Sequence, residues 1–161
     1  MYFQLLGAEN TILTEMFDYV DWVNIMAYDF EGGWSSAPAN HASLSNANQA
    51  LDYWGNIRGL PKNKTVLGVS FYGKDFTEPS NINDNTVINR AYRDILASNT
   101  AAHLSDNIGT IYYTGVQTIK DKVVIIANNN DYLGAMIWEI AQDTPDETKS
   151  LLTMMDKVLN P

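Results

Sequence analysis

Polar and aromatic side chains directly follow or end three apolar runs of the sequence. Tyr28 and Asp29 end the first run, Tyr72 follows the second, and Trp138 and Glu139 end the third. A carboxylate and phenolic hydroxyls can orient a substrate and stabilise charge that develops on it. The carboxyl ends of parallel barrel strands lie on one face of a barrel, so these side chains are predicted to meet at one site.

Each of these residues also has a purely structural interpretation. Asp29 could cap a turn at the end of its strand. Tyr28 and Trp138 could be ordinary core aromatics, and Tyr72 fits either role. Glu139 alternates with Trp138 along a strand and so points to the opposite face, where a salt bridge with a neighbouring helix is expected.

Other catalytic and cofactor signatures are missing from the sequence. His41 and His103 fit no metal-ligand spacing, so we predict no metal and expect both side chains to be exposed to solvent. Gly32-Gly33 and Gly73 form no phosphate-binding pattern, so no nucleotide cofactor is predicted. No Ser-His-Asp arrangement can be identified.

Composition narrows the class of protein further. The chain has 161 residues, 45% of them hydrophobic, which fits one folded domain. Its net charge of −9 has the wrong sign for a nucleic-acid partner. Cysteine is absent, which excludes disulfides and thiolate chemistry. No apolar run reaches the ~18–20 residues of a membrane span, so no membrane partner is predicted.

Hydrophobic patterning predicts alternating strands and helices. Apolar runs typical of buried strands are Trp22–Tyr28, Thr65–Phe71 and Leu133–Glu139, with a shorter strand at Thr110–Tyr113. Four segments carry apolar residues at helical spacing. The first is capped by Ser43, is stopped by Gly59 and Pro61, and carries Ala47, Ala50, Leu51, Trp54 and Ile57 on its apolar stripe. The second is capped by Asn85 and carries Val87, Ile88, Ala91 and Ile95. The third carries Val116, Ile119, Val123, Val124 and Ala127, and the fourth runs from Glu147 to Leu159 and is predicted to bury Leu151, Leu152, Met155 and Val158.

Three motifs at the strand ends resemble glycoside hydrolase family 18, the chitinases and chitinase-like proteins. Met26-Ala27-Tyr28-Asp29 is similar to the family's sixth barrel strand with its Met-x-Tyr-Asp signature. Leu67–Lys74 is similar to the seventh strand, and Gly134–Glu139 to the eighth. The helix from Ala50 to Pro61 is also similar. The resemblance covers about residues 19–143, with the motifs in the family's order.

The sequence departs from the family pattern in four respects. Ser70 stands where proline is usual, and Lys74 where arginine is usual, so a bidentate contact from position 74 is not expected. The insertion between the seventh and eighth strands is expected to be missing or reduced, leaving a shallower cleft. The fourth-strand motif D-x-x-D-x-D-x-E, whose glutamate donates the proton, is absent. After Asp18 and Asp21 the next two required positions are apolar.

The resemblance implies an α/β fold comprising roughly the last four units of a (β/α)8 TIM barrel, which when complete needs roughly 250 residues. Residues 1–161 are then expected to be the C-terminal part of a family-18 catalytic domain, with a natural short paralogue as the alternative. Such a sheet leaves open edges, which are expected to pair with a second copy or with the missing N-terminal half. The family resemblance implies a secreted, periplasmic or cell-surface parent protein.

The resemblance also implies a substrate-assisted reaction, in which the N-acetyl oxygen of the substrate attacks the anomeric carbon while a glutamic acid protonates the leaving oxygen. Tyr28 would donate a hydrogen bond to the acetamide oxygen, and Asp29 would orient the group and disperse charge. The substrate would be a β-1,4-linked N-acetylglucosamine polymer or a related N-acetylated glycan. Three alternatives remain: an endo-acting enzyme on N-glycans, a non-catalytic sugar-binding protein, and an assembly module.

Four further side chains are implied or proposed to bind substrate. Trp138 would form an apolar floor under the distorted sugar, because a flat aromatic face suits the apolar face of a pyranose. Tyr72 would line the wall of the cleft, and Met26 belongs to the first signature. Trp34, in a glycine-rich loop, could form a sugar subsite, whereas Trp54 on a helical stripe is expected in the core.

Overall fold

A computed structural model describes residues 12–77, 87–128 and 131–161 of the chain. Its strands are β1 (Val23–Met26), β2 (Thr65–Ser70), β3 (Tyr72–Asp75), β4 (Ile88–Ala91), β5 (Asn107–Ile108), β6 (Ile111–Tyr112) and β7 (Gly134–Trp138). Its α-helices are α1 (Leu44–Asp52), α2 (Tyr92–Ser98), α3 (Val116–Asn128) and α4 (Leu151–Leu159). No helix among these residues is long and apolar enough to cross a membrane.

The three predicted buried runs form one parallel sheet in the order β1-β2-β7. The central strand β2 is packed on both faces, and Leu67 and Val69 are fully buried. Burial was also predicted for the first run, and on one face of β1 that prediction is wrong. Trp22 and Met26 are 56% and 64% exposed, because β1 has a neighbouring strand on one side only within the described residues.

The helix between β1 and β2 begins as predicted. The Ser43 side chain accepts a hydrogen bond from the Asn46 amide and caps α1. After Asp52 the helix widens into a π-helical turn over Tyr53–Ile57. The wider turn displaces Ile57 from the predicted apolar stripe, so that it is 67% exposed, whereas Trp54 is buried as expected. Gly59 then ends the helical segment with a φ of +73°.

A small antiparallel sheet, ordered β4-β3-β6-β5, lies between the second and third parallel strands. The prediction of a helix starting near residue 87 is wrong, because Ile88–Ala91 pairs with β3 and the helix α2 begins only at Tyr92. The proposed cap, Asn85, lies outside the described residues. Pairing with β3 satisfies backbone groups that the local helical spacing did not take into account.

The last two helices close the core. α3 covers the predicted Val116–Ala127 segment, packs against α4, and buries Ile119 and Val123. α4 begins at Leu151, later than predicted, because the Asp143 carboxylate accepts hydrogen bonds from Ser150 and from the first helical amides. Leu152 was expected to be buried but is 38% exposed. The core therefore lies between the parallel sheet and these helices.

Candidate active site

The carboxylate of Asp29 is held at the point where the chain leaves the first parallel strand. Its backbone has a φ of +60°, in the left-handed region that a non-glycine residue seldom adopts. The Tyr72 hydroxyl donates a hydrogen bond to its Oδ1 at 2.7 Å, and the Lys74 ammonium lies 3.0 Å from the same oxygen. The strand-end residues after β1 and after β2 are thus joined directly, as the spacing of the motifs predicted.

The charge states of this pair follow from its surroundings. Partial burial would raise the pKa of the Asp29 carboxyl, but the hydrogen bond from Tyr72 and the ammonium of Lys74 lower it well below its usual range. Burial raises the pKa of the Tyr72 hydroxyl, and its bond to Asp29 raises it further. At neutral pH the site therefore presents a carboxylate, which is 46% exposed, held by a neutral phenol and a cation.

His41 joins the two segments that carry this pair. The ring is fully buried, so the expectation that it faces solvent is wrong. Its Nε2 lies 3.1 Å from the Tyr72 carbonyl, which can only accept, and its Nδ1 lies 3.2 Å from the Asp29 amide, which can only donate. Both bonds together require a neutral ring with its proton on Nε2. Burial lowers the pKa of His41, in agreement with the neutral form.

In that tautomer the His41 Nδ1 cannot donate a hydrogen bond to the Asp29 carboxylate. His41 Nδ1 lies 3.5 Å from Asp29 Oδ1, a contact that would favour the carboxylate only if the ring were protonated. The ring of His41 packs against the Tyr72 ring with centroids 4.9 Å apart. His103, by contrast, is half-buried and contacts the Thr100 carbonyl, away from this group.

Lys74 connects the carboxylate to the glycine-rich loop. It is 6% exposed, and its ammonium lies 5.5 Å from the centre of the Trp34 ring. Trp34 folds back over Gly32, where a Cβ atom would lie only 2.6 Å from the indole. The indole remains 52% exposed, so it forms an aromatic wall beside Asp29 that solvent or a ligand can reach.

Tyr28 packs beside Tyr72 and keeps its hydroxyl available. The two rings meet edge to face with centroids 6.3 Å apart. The opposing strand is close, because a Cβ on Gly68 would lie 3.2 Å from the Tyr28 ring and 3.1 Å from Met136. Within the described part of the chain no hydrogen-bond partner is recorded for the Tyr28 hydroxyl, so it can donate to a ligand.

Trp138 and Met26 are assigned to the site from their positions along the strands, because alternate residues of a strand face the same side. Trp138 pairs with Ser70 across the sheet and is 56% exposed. It lies two residues after Met136, hence on the face of β7 that packs against Tyr28 and Tyr72. Met26 lies two residues before Tyr28 and is 64% exposed at the sheet edge.

Two polar residues near Trp138 differ from expectation or from the usual pattern. Glu139 is exposed and has no ion pair with any residue in the described ranges, so the expected salt bridge to a helix is wrong. The hydroxyl of Ser70 is buried without a hydrogen-bond partner among the described residues.

An apolar cavity of about 380 Å³ runs beside β1. Asp29, Tyr28 and Met26 contribute to its wall, and the other side chains are mainly apolar. These are Ile12, Met16, Phe17, Val23, Asn24, Ile25, Phe30 and Trp54. The cavity therefore connects the site with the edge of the parallel sheet at β1, which no other strand of the described residues pairs with.

Comparison with known proteins supports the resemblance to family 18. The chain matches Glycosyl hydrolases family 18 over residues 6–143. It is 36% identical over 93 residues to Sporulation-specific chitinase 2 of Saccharomyces cerevisiae, an alignment that covers 52% of this chain and 18% of that protein.

Solved chitinase structures match most of the chain. A chitinase from Bacteroides thetaiotaomicron matches with a TM-score of 0.79 and 34% identity over 92% of this chain and 48% of that chain. The GH18 chitinase ChiB of Flavobacterium johnsoniae matches with a TM-score of 0.77 and 35% identity over 89% and 44%, respectively. The chain thus spans about half the length of these structures and less of the curated relative. The match over residues 6–143 establishes that the chain belongs to glycosyl hydrolase family 18.

Proposed function

We propose that this chain forms the acetamide-binding part of a chitinase-type active site that cleaves β-1,4-linked N-acetylglucosamine polymers or related N-acetylated glycans. The observation that carries the proposal is the Asp29 carboxylate, which is half exposed and fixed by Tyr72 and Lys74. The relatives at 34–36% identity that are named chitinases support this substrate class.

The residues divide the task of holding an N-acetyl group. The Tyr28 hydroxyl donates to the acetamide oxygen and aligns it for attack on the anomeric carbon. The Asp29 carboxylate accepts the acetamide N–H and stabilises the positive charge that builds up as the oxygen attacks. Because Tyr72 and Lys74 hold Asp29 as the anion, it acts through charge and orientation and does not donate the proton.

Aromatic faces supply the rest of the binding surface. Trp138 lies on the face of β7 that packs against Tyr28, and its exposed indole supports the sugar ring from below. Trp34 extends the surface on the side of Lys74, Tyr72 lines the wall, and Met26 contacts the substrate at the edge of β1.

We further propose that the protein functions within a complete (β/α)8 barrel, whose other strands supply the proton-donating glutamate. In this proposal β1, β2 and β7 are the sixth, seventh and eighth strands of such a barrel, and their parallel order β1-β2-β7 supports it. Among the described residues no strand pairs with the outer edge of β1, and an apolar cavity lies beside it. Both features favour packing by further strands and helices. The D-x-x-D-x-D-x-E motif is absent from this sequence.

A second function, sugar binding without catalysis, is favoured by the exposed indoles of Trp34 and Trp138. Both functions predict that a soluble chitin oligosaccharide changes the tryptophan fluorescence of the chain. Trp138→Phe should weaken this binding about two- to fivefold, because a whole aromatic contact contributes ~0.5–1.5 kcal/mol and phenylalanine retains part of the stacking surface. Trp22→Phe is the matched control, because Trp22 and Trp138 are both 56% exposed and Trp22 lies outside the site.

Hydrolysis separates the two functions. The 161-residue chain alone should not cleave a fluorogenic chitobioside, because general acid catalysis typically contributes ~10²–10⁴-fold. A full-length protein that contains the chain should cleave it if the barrel supplies the acid, and should only bind it otherwise. Turnover by the chain alone would contradict the proposed origin of the acid, and equal binding by Trp138→Phe would contradict the binding surface.

A further inference from the structure

Lys122 lies in the core of the protein, separated from the candidate site by residues 40–42. Its side chain projects from α3, is 1% exposed, and donates hydrogen bonds to the Ala42 carbonyl and, at 3.2 Å, to the Thr114 hydroxyl. None of the carboxylates in the described ranges forms an ion pair with it within 4.0 Å. Asp106 attracts the ammonium electrostatically without forming such an ion pair, and a buried cation with no carboxylate in direct contact is costly in a protein core.

Residues 40–42 connect Lys122 with the candidate site. The Thr114 hydroxyl also donates to the Ala42 carbonyl, and the Asn40 side chain bonds the Tyr113 carbonyl at 2.6 Å and the Ala42 amide at 2.9 Å. The segment is therefore fixed to the turn that precedes α3.

His41, in the middle of that segment, holds the strand end. Its carbonyl accepts the Phe30 amide at 3.0 Å, and its Nδ1 accepts the Asp29 amide at 3.2 Å. Its Nε2 donates to the carbonyl of Tyr72. These three bonds secure the left-handed backbone of Asp29 and the residue whose hydroxyl binds the carboxylate.

We propose that Lys122 is a positioning residue for Asp29, acting through the Ala42 carbonyl and the His41 ring. This inference rests on the proposed role of Asp29 in binding the acetamide group. Lys122 does not touch the substrate. Its ammonium holds the 40–42 segment in place through the Ala42 carbonyl, and His41 in that segment holds the Asp29 backbone.

The test compares Lys122→Met with the parent chain by nuclear magnetic resonance. Methionine fills a similar volume without the charge, so the global stability should be unchanged or higher, while Thr114 still bonds the Ala42 carbonyl. Hydrogen exchange at the Asp29 amide should accelerate on the order of tenfold, as expected for weakening of about one hydrogen bond. The ¹⁵N shifts of the His41 ring should move away from the Nε2–H form.

A matched control on α3 and a second variant accompany Lys122→Met. Lys120→Met makes the same change on an exposed position of α3 and should leave Asp29 exchange at the parental rate. If Lys122→Met does not fold, Lys122→Leu tests the same loss of the ammonium, and Thr114→Ser, which keeps the hydroxyl, should show the parental values. Parental exchange at Asp29 and parental His41 shifts in a folded Lys122→Met or Lys122→Leu variant would overturn the inference.

Kinetics separate this inference from the proposed function. In an active enzyme that contains the chain, Lys122→Met should lower kcat on the order of tenfold with KM little changed. Faster Asp29 exchange with an unchanged kcat would retain the structural relay and refute the proposed role of Asp29. An unchanged exchange rate would refute the relay whatever the activity.

Discussion

Replacing Asp29 with asparagine tests the centre of the site, because it removes the charge and keeps the shape. The Tyr72 hydroxyl retains a carbonyl acceptor, but Lys74, whose side chain is 8% exposed, loses the anion 3.0 Å from its ammonium. Removing one partner of a buried pair costs ~3–5 kcal/mol. Because the carboxylate is 46% exposed, water compensates for part of that loss, and we expect a destabilisation of ~1–2 kcal/mol.

The pH dependence identifies the cause of this loss. The pKa of Asp29 is lowered in the folded protein, so the carboxylate stabilises the fold above the unfolded pKa of about 4 and loses that effect as pH falls through the folded value. The free energies of unfolding of parent and Asp29→Asn should therefore differ most at neutral pH and converge in acid. Urea unfolding followed by circular dichroism at several pH values measures this difference.

The same variant tests the catalytic role in an active enzyme that contains the chain. Loss of a preorganised electrostatic contact typically costs ~2.7–4 kcal/mol in the transition state, so kcat should fall on the order of a hundredfold while KM changes little. Asp94→Asn is the control, because its carboxylate is 64% exposed and its ion pair measures 3.7 Å. A folded Asp29→Asn enzyme with parental kcat would show that Asp29 only caps the strand.

Three further outcomes are expected. Tyr28→Phe should also lower kcat on the order of a hundredfold, whereas Tyr19→Phe, at a position 87% exposed, should leave it unchanged; equal rates would refute the donor role. Light scattering should show that the isolated chain pairs through its open sheet edge at tens of micromolar, and Trp22→Lys should shift it toward a monomer; a parental monomer would contradict this. Burial lowers the pKa of Lys122 to about 8, so above that pH the unfolded chain binds more protons than the folded chain. The free energy of unfolding of the parent chain should therefore rise between about pH 8 and 9.5. The free energy of unfolding of Lys122→Met should not rise over this range.

The sequence alone determined the parallel strands and the residues at their ends. Runs such as Thr65–Phe71 are apolar over enough consecutive positions that burial in a sheet follows from composition. The juxtaposition of Asp29 and Tyr72 was also predictable, because parallel strands end on one face. The helix at Val116–Asn128 and the cap at Ser43 likewise depend on local spacing.

Only the tertiary structure decided the features that depend on residues far apart in the chain. His41 has no local signal of burial, and its ring is enclosed because Asp29 and Tyr72 approach it from two other segments. Lys74 stands where the family usually has arginine, yet its ammonium reaches Asp29 because β3 carries it there. Ile88–Ala91 has helical spacing but forms a strand, because the edge of β3 offers hydrogen bonds that local propensity cannot outweigh.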